Sequence, residues 1–202
     1  MLKKFVLGGM TALVLAACGG EGGSASSSAP AQSASASGSL IERINNKGTI
    51  TVGTEGTYAP FTYHDKDGKL TGYDVEVTRA VADKLGVKVE FKETQWDSMM
   101  AGLKAGRFDV VANQVGLTSP ERQATFDKSE PYSWSGAVLV ARNDSNIKSI
   151  DDIKGVKTAQ SLTSNYGEKA KAAGAELVPV DGLAQSLTLI EQKRADATLN
   201  DE

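Results

Sequence analysis

One cysteine, one histidine and no basic excess set the first limits on this chain of 202 residues. A lone cysteine, Cys18, excludes an internal disulfide. With a single histidine beside it, a zinc site lacks ligands. That histidine, His64, opens the polar stretch HDKDGK and is expected to be solvated in a glycine turn. Asp65 and Asp67 in the same stretch lack the other ligands of a calcium loop. Lys and Arg number 22 against 25 Asp and Glu, a formal net charge of -3. A mildly acidic chain without a basic cluster is a poor partner for nucleic acid. The glycine-serine elbow of hydrolases, the phosphate-binding P-loop and the dinucleotide glycine run are all missing. No metal, no cofactor and no catalytic residue is therefore expected.

What is present is an ordinary globular composition, 40% hydrophobic and 23% charged. That suffices for one or two compact domains. Residues 1–17 stand apart. Lys3 and Lys4 precede an apolar stretch from Phe5 to Ala17 that is too short to span a bilayer and reads as an export signal. Without its two lysines the net charge moves from -3 to -5. The segment ends LAAC, which resembles the cleavage box of bacterial lipoproteins, so Cys18 is expected to become the first mature residue and to carry lipid. Each buried CH2 of such a lipid contributes about 0.8 kcal/mol of anchoring. Residues 18–39 then form the lipidated Cys and a Gly/Ser/Ala-rich tether. Its composition cannot offset the entropy of ordering, and its flexible span is about 25 Å.

From Leu40 strand and helix patterns alternate. Strands are expected at 49–54, 87–91 and 108–115, with helices at 74–85 and 96–105 between them. On the first helix Val77, Ala80, Val81 and Leu85 share one side, and Asp74 is placed to cap its start. A second set follows: strands at 136–141, 156–160, 176–180 and 196–200, helices at 165–173 and 183–193. Alternation of this kind predicts parallel sheets with right-handed crossovers. The expectation is a two-lobed α/β chain, with lobe 1 over 40–136, lobe 2 over 137–202 and a hinge strand near 137–142.

Ligands of such sheets collect at the carboxyl ends of the strands. Those ends hold Glu55 and Tyr58, then Trp96, then Gly116, Thr118, Ser119 and Arg122. In the second set they hold Thr163, Ser164 and Asn165, and last Asp201. Ser119 with Pro120 starts a helix whose free N–H groups favour an anion, and Arg122 can grip a carboxylate through two hydrogen bonds. Tyr58 and Trp96 can pack in a core or wall a small ligand. Asp201 is an acid placed to receive an ammonium. An arginine and an aspartate spaced this way suit an α-amino acid.

With those residues in view, the chain resembles the solute-binding proteins of bacterial ABC importers, polar amino-acid family 3. Gly72-Tyr73-Asp74-Val75-Glu76-Val77 with Val81-Ala82 and Leu85 fits that family's hallmark pattern. Tyr58-Ala59-Pro60-Phe61, Phe108-Asp109-Val110-Val111, Ser129-Glu130-Pro131-Tyr132 and Asp152-Ile153-Lys154-Gly155 agree as well. The resemblance implies a type II periplasmic-binding-protein fold. It also implies Tyr58 and Trp96 as walls around the ligand side chain, Arg122 on the α-carboxylate, and Thr163 to Asn165 as a second carboxylate contact. Asp201 would hold the α-ammonium, with Glu55 near the side chain or ammonium. One extra residue in Gly116-Leu117-Thr118-Ser119 leaves open which of Gly116, Thr118 and Ser119 joins Arg122.

The function so implied is a monomeric, lipid-anchored binding protein at the periplasm or cell surface. It would capture a polar amino acid and deliver it to an ABC permease. Asn113-Gln114-Val115, Trp96-Asp97 and Ser164-Asn165-Tyr166 look most like the cystine or cysteine branch; glutamine, histidine and arginine binders share the frame. Two alternatives stand beside it: a dehydratase of the same fold, for which Glu55 is the acid to watch, and a partial chain without a transport role. By family comparison about 60 to 80 residues beyond Glu202 are expected to be absent, the scale of a half-domain. Lobe 1 is then expected to expose apolar surface.

Overall fold

The computed structural model describes residues 38–202. The export segment, Cys18 and the tether up to residue 37 lie outside the described residues. The last tether residue, Ser39, is already structural. Its side chain accepts from the Glu42 N–H while Glu42 reaches back to the Ser39 N–H, a capping box that starts α1, Leu40–Lys47.

The first sheet has the order β5-β1-β6. Strand β1, Thr49–Thr54, lies at its centre, parallel to β5, Lys88–Glu93, and to β6, Val110–Val111. Between β1 and β5 the chain makes a small antiparallel meander, β2 (Thr57–Tyr58), β3 (Thr62–His64) and β4 (Leu70–Thr71), and then α2, Tyr73–Leu85. Helix α3, Trp96–Lys104, leads from β5 to β6. The expected strand over 108–115 is thus only two residues long. It ends at Val111, and three residues on Gln114 has a left-handed φ of 49°, which a ladder does not accommodate.

Helix α2 differs from expectation in two ways. Its N-cap is Gly72, without a side-chain cap, so Asp74 does not cap it but lies inside the first turn. The orphan N–H groups of Tyr73 and Asp74 donate instead to the carbonyls of Pro60 and Phe61, at 3.1 and 2.9 Å. The buried face is Asp74, Val75, Thr78 and Ala82, whereas Val81 and Leu85 are exposed. Polar anchoring of Asp74, described below, rotates the helix away from its most apolar stripe. Ile44, Ile50, Val52 and Ala82 form the core beneath it.

After α4, Pro120–Thr125, and an extended stretch, β7, Ala137–Ala141, opens the second sheet, of order β7-β10-β8-β9. Strands β8 (Lys157–Gln160), β9 (Glu176–Pro179) and β10 (Ala197–Asp201) are parallel where they pair. Helices α5, Asn165–Ala172, and α6, Leu183–Glu191, connect them. Strand β7 runs antiparallel to β10. Only a short 3-10 turn at Ile150–Ile153 stands between β7 and β8. Ile153, Ala170, Ala197 and Leu199 are buried together, as are Ala159, Val180, Leu189, Ile190 and Ala195. Each sheet with its helices makes one lobe, and residues at the carboxyl ends of β1, β8 and β10 line one cavity. Among the described residues no helix is long and apolar enough to cross a membrane.

Candidate functional site

The strand ends meet around one cavity with a free volume of about 50 Å³. Its lining brings Glu55, Tyr58 and Trp96 from the first lobe together with Ser164, Asn165 and Asp201 from the second. A cavity of that size has room for ordered water between the strand ends.

Protein groups from both lobes meet at the Asp201 carboxylate. It accepts from the Tyr58 hydroxyl at 2.8 Å on one oxygen and from the Tyr166 hydroxyl on the other. The Tyr58 hydroxyl also lies at hydrogen-bond distance from Asn200 Oδ1. Burial, then the neighbouring Asp201 charge, pushes the Tyr58 phenol well above its usual range. Tyr166 is raised by burial and by its bond to Asp201. Both phenols therefore remain donors. A carboxylate has about four lone-pair sites, so two stay available for an ammonium.

Arg122, 9% exposed, does not line the cavity but stands against its Trp96 wall, with its guanidinium 5.5 Å from the ring centroid. Nη1 donates to the Gly116 carbonyl at 3.0 Å and Nη2 to the Thr163 carbonyl of the opposite lobe at 2.8 Å. Ser119 caps α4 by accepting the Arg122 N–H at 3.3 Å. Thr118 is exposed and, like Gly116, Ser119 and Thr163, lies outside the cavity lining. Thr163 makes a second cross-lobe contact. Its N–H and hydroxyl donate to Asp97 at the start of α3, at 3.0 and 2.7 Å.

Glu55 faces the cavity floor. Its carboxylate accepts from Asn113 Nδ2 at 2.6 Å, and its N–H donates to Asn113 Oδ1 at 2.8 Å. Burial raises its carboxyl above the ordinary value, against the lowering effect of the Asn113 bond. His64 is exposed at the end of β3, with Nε2 3.2 Å from Glu93 Oε1. Asn113, Tyr166, Gln160 and Asn200 also contribute and were not singled out as ligand contacts. Their signal was position: Asn113, Gln160 and Asn200 sit at the end of a parallel strand or in the turn that follows, and Tyr166 in the first turn of α5.

The chain matches the model of bacterial extracellular solute-binding proteins, family 3, over residues 50–200. It is 59% identical over 167 residues to the L-cystine-binding protein TcyA of Bacillus subtilis, covering 82% of this chain and 62% of that protein. Among solved structures, the L-cystine solute receptor of Neisseria gonorrhoeae in the unliganded open conformation is 97% identical. That match covers 82% of this chain and 70% of the receptor, with a TM-score of 0.49. The ancestral amino acid-binding protein AncCDT-1, a precursor of cyclohexadienyl dehydratase, is 36% identical with a TM-score of 0.76, covering 81% of this chain and 74% of its own. The chain spans less than two thirds of the curated relatives it matches first, 64% and 62% of their lengths.

Proposed function

We infer for this chain, which belongs to the bacterial extracellular solute-binding proteins of family 3, the capture of a polar L-amino acid between its two lobes. Its fold is the two-lobed type II arrangement of periplasmic binding proteins. The observation that carries the reading is that a cation of the first lobe and an anion of the second each bond a neutral group of the other lobe across one cleft. Arg122 reaches from the first lobe to Thr163, and Asp201 of the second lobe is met by Tyr58 of the first. In the proposed cycle the lobes part, a zwitterion enters, and reclosure sets its ammonium on the free lone pairs of Asp201. Its carboxylate takes Arg122 donors now spent on carbonyls, with Ser164 and Asn165 at the start of α5 beside it. Tyr58 and Trp96 pack on the side chain, and Glu55 lies at its far end. Ser119 and the Gly116 carbonyl support Arg122 from outside the cavity. Cystine or cysteine is the favoured ligand, in keeping with the L-cystine-binding relative. Delivery to an ABC permease, a lipid anchor on Cys18 and action as a monomer at the membrane surface complete the proposal.

Calorimetry against L-cystine, L-cysteine, glutamine, histidine and arginine tests it. Arg122→Ala should weaken the best ligand by about 2 kcal/mol, the scale of a lost charge-assisted pair. Unchanged affinity defeats the assignment, and no heat from any of the five defeats the function. A second reading, acid–base dehydration, has one observation in its favour: the buried Glu55 carboxyl is raised in the cavity. Dehydration product that disappears in Glu55→Gln would establish that reading over simple binding.

A further inference from the structure

Asp74 has 0% exposure and does not line the cavity, yet three donors converge on it. Gln114 gives its backbone N–H to Oδ2 at 2.8 Å and its side-chain Nε2 to Oδ1 at 2.7 Å. The Tyr132 hydroxyl donates to Oδ1 at 2.9 Å. These three donors occupy three of the about four acceptor sites its two oxygens offer. The Gln114 side chain is held at its other end too, where Oε1 accepts from the Ser133 hydroxyl at 2.9 Å.

Gln114 needs holding because its φ of 49° lies in the left-handed region, which a glutamine occupies only at a cost. Its neighbours do the work of the site. Asn113, 1% exposed, bonds both the N–H and the carboxylate of Glu55. Gly116, two residues on, presents the carbonyl that receives Arg122. Asp74 itself is fixed from behind. Gly72 has a φ of 120°, and a Cβ there would lie 2.4 Å from the Phe61 carbonyl oxygen. Only glycine lets α2 start against that backbone and aim its first turn at Gln114.

We propose that Asp74 is a positioning residue for the cleft: it holds Gln114 in a left-handed backbone and thereby orients Asn113 against Glu55 and the Gly116 carbonyl against Arg122. The consequence for affinity rests on the binding reading above; the consequence for local structure does not.

Amide exchange followed by NMR on the ligand-free chain, with calorimetry on L-cystine, separates the two. In Asp74→Ala the Glu55 amide, which bonds Asn113 and touches nothing of Asp74, should exchange at least tenfold faster. The Ile50 and Val52 amides of β1 should keep their protection. Affinity should fall at least tenfold. In Asp74→Asn both should return to within about threefold of the parent, because the Gln114 amide can turn over to face Nδ2 and Ser133. Unaltered exchange at Glu55 overturns the proposal. So does an equal loss of protection at Glu55, Ile50 and Val52, which marks general loosening. Should Asp74→Ala lack a cooperative melt, Gln114→Ala takes its place. Alanine keeps the left-handed strain but removes the side-chain tether, and unchanged Glu55 exchange in that variant also overturns the proposal. A parent chain that binds no amino acid rejects the binding function while leaving the exchange result readable.

Discussion

The second lobe covers its central strand almost completely, while the first lobe leaves its sheet thinly flanked. In β10, Ala197, Thr198 and Leu199 are 0, 0 and 3% exposed, between β7 and β8 and with buried clusters packed on the sheet. In the first lobe β1 is equally buried, but β6 pairs with it only at Val52–Val110 and Gly53–Val111. Val87, Val89, Phe91, Val110 and Ala112 are only partly covered. Tyr73, Val81, Leu85 and Trp134 are exposed, Trp134 at 85%. The difference shows two ways to hold an α/β lobe. The second relies mainly on apolar burial, with Arg142 tied to the Ile190 and Ala195 carbonyls and Gln160 to that of Leu199. The first adds polar ties between distant loops: Asp109 to the N–H and hydroxyl of Thr51, Asn113 to Glu55, and Asp74 to Gln114.

Substitutions can break that contrast. The largest expected effect is in the second lobe. Ile153→Ala, at 0% exposure, should cost about 2 to 5 kcal/mol in urea unfolding, the range for a truncated core aliphatic. Its counterpart Leu85→Ala, 38% exposed in the first lobe, should stay within about 0.5 kcal/mol. Equal costs would erase the distinction. Next comes a backbone tie of the first lobe. Gly72→Ala meets the Phe61 carbonyl and an unfavourable φ, and should destabilise by about 1 to 3 kcal/mol. A melt indistinguishable from the parent would show that the α2 start yields freely.

The smallest effect concerns pH. Burial raises the folded carboxyl of Glu55 above its unfolded value. Stability from that group is then present below the ordinary carboxylate range and is lost as pH rises through the raised folded value. Glu55→Gln keeps an acceptor for Asn113 and removes the ionisation. It should melt above the parent at neutral pH, and the gap should close below the ordinary carboxylate range. A gap that does not vary with pH would exclude Glu55 as its source.

Much of the frame was legible because it is local. Strand β1 falls at 49–54 as its pattern predicts, and α3 and α5 begin at Trp96 and Asn165. Ser119 and Ser164 cap their helices through side-chain bonds three residues on. Less legible was the buried side of α2. Three of the hydrogen bonds that set its rotation come from residues 40 and 58 positions away, and no periodicity reports them.

By itself the sequence determined the order of the longer strands and of the helices between them, the starts of α3, α4, α5 and α6, and therefore which residues stand at the carboxyl ends of parallel strands. These follow from spacing of apolar side chains and from capping groups within a turn of one another. Only the tertiary structure decided how the charges are satisfied. Arg122 faces carbonyls 6 and 41 residues away, and Asp201 meets a phenol 143 residues distant. A buried charge takes the partner that folding brings within reach, and that distance is a property of two lobes meeting.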